Sequence, residues 1–184
     1  MGIFGLGLVA AGAGVAFMAS RKPDNFSISR RALLKASPEA LFPLVNDFHR
    51  WTTWSPWEKF DPNLQRTYAG PELGVGASYE WSGNNQAGSG KMTIQESTPN
   101  QRIIIELVFT KPMAATNRTE FLFTPKDGGT EVSWTMSGTN SFVKKLFLVF
   151  IDMEKFVGPQ FEEGLKSLER VASGGGEKQL SSEV

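Results

Sequence analysis

Three tryptophans crowd one segment, Trp51, Trp54 and Trp57, with the carboxylates of Glu58 and Asp61 just after them. Tryptophan offers a broad apolar face and one N–H donor, so such a cluster suits either an aromatic lid over a ligand or a plug between elements. Both readings stand at this point. His49 is the only histidine, flanked by Asp47 and Arg50. It reads as a capping or surface residue, because no hydroxyl or thiol nucleophile is arranged for it to activate. No cysteine is present, which excludes disulfides, thiolate catalysis and cysteine-held metal. No metal site and no cofactor are expected.

The segment Gly88-Ser89-Gly90-Lys91-Met92 invites comparison with a phosphate loop. The comparison fails: Asn85 stands where the first glycine belongs, and Met92 where a hydroxyl would hold magnesium. The segment reads as a hairpin turn. Glu80 and Glu106 alternate with apolar neighbours and are assigned to the solvent face. Asp152 interrupts an apolar helix; facing a cavity, it would be raised in pKa by desolvation and become an acid/base candidate.

These residues must be positioned by a chain of 184 residues, enough for one domain with a real core. Apolar residues make up 40%, and nineteen basic side chains balance nineteen acidic ones. With no dense basic block, nucleic acid is not an expected partner.

From Gly2 to Ser20 no side chain is charged, and Arg21 and Lys22 close the run. A helix over Ile3–Ala19 would span about 26 Å, just short of the ~30 Å hydrocarbon core. Three readings compete: a membrane anchor, a cleaved signal peptide, and a buried or disordered segment. The anchor, over residues 1–22, is carried forward. The positive residues after it then place the domain in the cytoplasm, as a single-pass protein of a bacterial inner membrane.

Past Pro23 the pattern reads as a strand over Phe26–Leu34, then a helix opened by Ser37-Pro38-Glu39, with Pro43 as a boundary or kink. From Tyr79 to Met136 the period is two, broken by turn signals such as Gly83-Asn84-Asn85 and Asp127-Gly128-Gly129. The period then becomes helical, with Phe142, Leu146, Val149, Met153 and Phe156 on one stripe and Gly158-Pro159 expected to bend or break the helix. The fold class is α+β: a strand, short helices, an antiparallel meander and a long C-terminal helix that covers its apolar face. The domain is assigned to residues 23–172, and 173–184 to a disordered tail.

Several segments in this order resemble the SRPBCC (START-related) superfamily, in particular polyketide cyclase/dehydrase-like proteins. They are Ser37-Pro38-Glu39-Ala40-Leu41-Phe42, Trp54-Ser55-Pro56-Trp57-Glu58, Gly74-Val75-Gly76-Ala77-Ser78-Tyr79-Glu80-Trp81, Gly129-Thr130-Glu131-Val132-Ser133-Trp134 and Phe161-Glu162-Glu163-Gly164-Leu165. The resemblance implies a helix-grip fold, a curved antiparallel sheet of six to seven strands wrapped on the last helix with an apolar tunnel between. It is specific for fold and weak for activity, since such proteins carry lipids and hormones, cyclise polyketides or assist chaperones.

The expected function is therefore binding of a small hydrophobic or amphipathic ligand, lipid-like or polyketide-like, by a membrane-tethered domain. Expected around the ligand are Trp51, Trp54 and Trp57 from the cluster, and Tyr79, Trp81, Phe109, Phe121, Trp134 and Met136 from the sheet, with Met153 from the helix. The alternative is a cyclase or dehydratase, with Tyr79, Glu58 and Asp152 as proton-moving candidates. A third class is a ligand-free interaction module with a filled interior. Oligomeric state is not legible.

Overall fold

The structure, a computed structural model, describes residues 13–174. Seven antiparallel strands form one curved sheet: β1 Asn25–Leu34, β2 Gln65–Ala69, β3 Ser78–Ser82, β4 Ser89–Thr98, β5 Arg102–Lys111, β6 Ala115–Lys126 and β7 Gly129–Thr139. Their order across the sheet is β1-β7-β6-β5-β4-β3-β2, so β2 to β7 are a meander and β1 closes onto the last strand. Helix α1 (Pro38–Asn46) and two 3-10 turns, Phe48–Thr53 and Pro56–Lys59, follow β1. Helices α2 (Phe142–Leu148) and α3 (Met153–Ala172) end the domain. This is the α+β arrangement expected from the pattern, and the helix-grip that the resemblance implies.

One sheet face is dry. Ile28 and Leu34 on β1, Ile103 and Ile105 on β5, and Val132 and Trp134 on β7 are all buried there. Their alternation with exposed residues is what a half-buried antiparallel strand requires. Helix α3 lays Val157, Phe161, Leu165 and Leu168 onto this face.

Three local expectations are corrected. The break in the C-terminal helical region falls at residues 149–152, where Asp152 caps a new helix, and α3 runs unbroken through Gly158-Pro159. Phe142 and Phe156, expected on a buried stripe, are exposed. The turn between β3 and β4 is closed by Gly83 N–H donating to the Gly88 carbonyl (2.9 Å), so Ser89–Met92 are strand, not turn.

The expected location is also corrected. Among the described residues no helix is long and apolar enough to cross a membrane. The described part of the N-terminal run is a helix over residues 13–20, about 12 Å long. Residues 1–12 of the assigned anchor and 175–184 of the assigned tail lie outside the described residues.

Candidate functional site

Most of the aromatic residues expected around a ligand pack against one another. Trp51 and Trp54 are buried, and each spends its indole N–H on a carbonyl of α1, that of Val45 at 3.0 Å and of Leu44 at 2.9 Å. These bonds tie the first 3-10 turn to α1 and satisfy carbonyls that a helix end leaves open. Trp134 stacks on Phe161 at 4.2 Å between centroids and meets Phe121 at 4.7 Å. Trp54 and Trp57 approach Trp134 edge-on, at 5.6 and 5.5 Å. Gly164 makes this approach possible, since a Cβ there would stand 2.6 Å from Trp134 Cζ3. Further along the sheet Trp81 lies over Gly90, donates to the Ala87 carbonyl (3.0 Å), and takes the edge of Phe109. The middle of the dry face is thus filled by its own rings.

Two of the proton-moving candidates meet. The Tyr79 hydroxyl donates to Glu58 Oε1 at 3.1 Å, and Arg66 Nε donates to Glu58 Oε2 at 2.9 Å. Burial, reinforced by the Glu58 carboxylate, pushes the Tyr79 phenol well above its ordinary range. Asp152 is not with them. It caps α3, accepting from the backbone N–H of Glu154 (3.1 Å) and Lys155 (3.4 Å), and its side chain is half exposed. His49 donates its Nδ1–H to Asp47 Oδ1 (3.0 Å) and stacks on Tyr68 at 4.0 Å on the surface. Glu80 and Glu106 face solvent, as expected.

An opening lies at the β1 edge of the grip. A solvent-open groove of about 650 Å³ runs between the start of β1 and the α2–α3 junction. Phe26 and Ile28 form one wall, Leu148, Ile151 and Met153 the other, and Lys22 and Asp152 stand at the rim. Of the residues expected around a ligand, Met153 lines this groove, and Met136 pairs across strands with Ile28 behind it.

Sheet register extends the groove's floor inward. Phe26 pairs with Gly138, and Gly138 with Asn117; Ile28 pairs with Met136, and Met136 with Thr119. Asn117 and Thr119 are buried on the dry face, and neither Asn117 Oδ1 nor Thr119 Oγ1 has a hydrogen-bond partner among the described residues. Sequence reasoning passed over both. The available signal was parity: they share a face of β6 with Phe121 and Phe123, where a polar residue needs a reason.

A curved sheet gripping a C-terminal helix, with an opening between its edge strand and that helix, defines a helix-grip protein. The chain belongs to the family described as "Polyketide cyclase / dehydrase and lipid transport", whose profile matches residues 25–173. No curated protein matches it in sequence. Solved structures show the same fold at low identity. Protein CV1439 from Chromobacterium violaceum is 17% identical (TM-score 0.57), over 82% of this chain and 98% of that one. The Aha1 dimer from Colwellia psychrerythraea is 17% identical (TM-score 0.57), over 80% and 96%. The di-domain ARO/CYC BexL of the BE-7585A biosynthetic pathway is 11% identical (TM-score 0.60), over 85% of this chain and 52% of that one.

Proposed function

We propose that this chain binds one small apolar or amphipathic molecule, lipid-like or polyketide-like, in the groove between β1 and the α2–α3 junction. The groove itself carries the reading. Its volume of about 650 Å³ suits a small ligand, and its lining is mixed, with Phe26, Ile28, Leu148 and Met153 beside polar Asn25 and Asn140, as an amphipathic molecule would need. The family's description, with its cyclases and lipid transporters, is consistent with such a ligand.

The test is titration with the uncharged fluorophore N-phenyl-1-naphthylamine. Saturable one-to-one binding is expected, weakened at least about ten-fold by Met153→Arg, which sets an unpaired cation against the apolar wall. No saturable binding to the wild type, or equal binding by the variant, overturns the assignment.

One observation favours a second reading, a cyclase or dehydratase. The Tyr79 hydroxyl donates to Glu58, which Arg66 also holds, so a phenol, a carboxylate and a guanidinium are gathered at one place. All three groups are already partnered with one another, and the groove does not include them. Turnover of a poly-β-ketone substrate that vanishes in Tyr79→Phe would establish this reading over simple binding.

A further inference from the structure

The sheet behind the groove carries polar atoms that the fold leaves unused. Among the described residues, three buried side-chain atoms lack a hydrogen-bond partner in the chain: Asn117 Oδ1, Thr119 Oγ1 and Trp134 Nε1. All three belong to the dry face of neighbouring strands β6 and β7. The Asn117 amide nitrogen fares little better, with Met136 Sδ at 4.0 Å as its partner. Leaving a buried amide oxygen unpaired is destabilising, and leucine or valine in these places would avoid it.

Asn117 does not line the groove, but it lies across Gly138 from Phe26, which does. A Cβ placed on Gly138 would meet Asn117 Oδ1 at 2.4 Å and Phe26 Cε1 at 2.9 Å. The amide oxygen and the Phe26 ring therefore lean over the same glycine from opposite sides, and Phe26 is a wall of the groove. Thr119 lies one residue pair further in, beside Met136 and Ile105.

We propose that Asn117 and Thr119 are the polar end of this ligand site, and that they select an uncharged amphiphile carrying a hydroxyl group. This rests on the groove being the ligand site. The apolar body lies along Phe26, Ile28 and Met153, and the hydroxyl passes the Phe26 edge to donate to Asn117 Oδ1 and exchange a bond with Thr119 Oγ1. A hydroxyl both donates and accepts, so it satisfies an amide and a threonine together. A carboxylate head would set a buried charge against the Asn117 oxygen. Two cations of the surrounding elements are already held, Arg30 by Glu154 and Glu162 and Lys145 by Asp24, and Lys22 stands at the groove's rim rather than at its Asn117 end. An ammonium head would likewise lack a buried counter-charge.

The experiment is displacement of N-phenyl-1-naphthylamine by 1-decanol, decyl methyl ether and decanoate, which share a chain and differ in the head. The alcohol is expected to displace the probe at roughly five-fold lower concentration than the ether, with decanoate weakest. Asn117→Leu and, independently, the isosteric Thr119→Val should each bring the alcohol-to-ether ratio close to one. Equal competition by alcohol and ether in the wild type, or preference for decanoate, overturns the hydroxyl assignment while the groove reading stands. An unchanged ratio in both variants overturns it too, leaving the two side chains a merely structural role. Absence of saturable probe binding overturns the groove reading, and this one with it.

Discussion

Two glycines of α3 should respond unequally to the same substitution. Replacing a helical glycine by alanine contributes about 1 kcal/mol through backbone entropy alone. At Gly164 the new methyl would stand 2.6 Å from Trp134 Cζ3 and 3.3 Å from Pro56 Cδ. Trp134 cannot give way, because Phe161 stacks on one side of it and Trp54, Trp57 and Phe121 close in around it. Overpacking of this kind costs about 1–3 kcal/mol, so Gly164→Ala should lose up to about 2 kcal/mol net. At Gly158 the methyl would meet the Arg30 guanidinium, its Nη2 first, then Cζ at 2.8 Å and Nε at 3.3 Å. That is the end of a flexible side chain whose partners Glu154 and Glu162 are half exposed. Displacing it forfeits at most about 1 kcal/mol for each ion pair, which leaves Gly158→Ala close to neutral. Urea unfolding should separate the variants by about 1–2 kcal/mol, with Gly164→Ala the weaker. Trp134→Leu combined with Gly164→Ala should cost less than the sum of the two single changes. Equal stability of the alanine variants would refute the claim that Trp134 is locked against α3.

Other consequences of the packing can be checked directly. Trp54→Phe should lose about 1–3 kcal/mol in chemical unfolding, since it removes both ring area and the bond to the Leu44 carbonyl. Both tyrosines of the chain, Tyr68 and Tyr79, are raised in pKa chiefly by burial. A phenol raised in the folded state favours folding below its ordinary range near pH 10 and loses that contribution as the pH rises further. Absorbance at 295 nm should therefore show tyrosine ionisation delayed beyond pH 10 and coincident with alkaline unfolding, and a free titration near pH 10 would contradict the burial. Lys145 is buried and held by the exposed Asp24. Asp24→Asn should lower the thermal midpoint by stranding the ammonium, while Lys145→Met should not.

How far these residues were legible in the sequence depended on how many constraints each obeyed. Strands β3 to β7 were legible because period two, turn residues and a dry face all agreed. Strand β2, Gln65–Ala69, was not. It is a short, mostly polar edge strand paired only with β3, so burial impresses no pattern on it. Gly158-Pro159 was expected to bend or break the last helix. In the fold, the missing Cβ at Gly158 admits the Arg30 guanidinium against the helix, a long-range contact that no local signal announces.

The last case is α2, where the apolar stripe and the buried side differ. Lys145 is turned inward and Phe142, Val143 and Phe147 outward. A seven-residue helix has too few turns for its hydrophobic pattern to fix its rotation. Its orientation follows from the ends instead: Ser141 caps its start and Lys145 reaches Asp24 just before β1. The long apolar stem of lysine can line the interior while its head finds a carboxylate at the surface. That anchoring holds α2 and the chain leading to α3 on the far side of the groove from Phe26 and Ile28. The groove lies between the α2–α3 junction and the start of β1, away from the tryptophans, whose rings and indole N–H groups are spent on packing and on the carbonyls of α1.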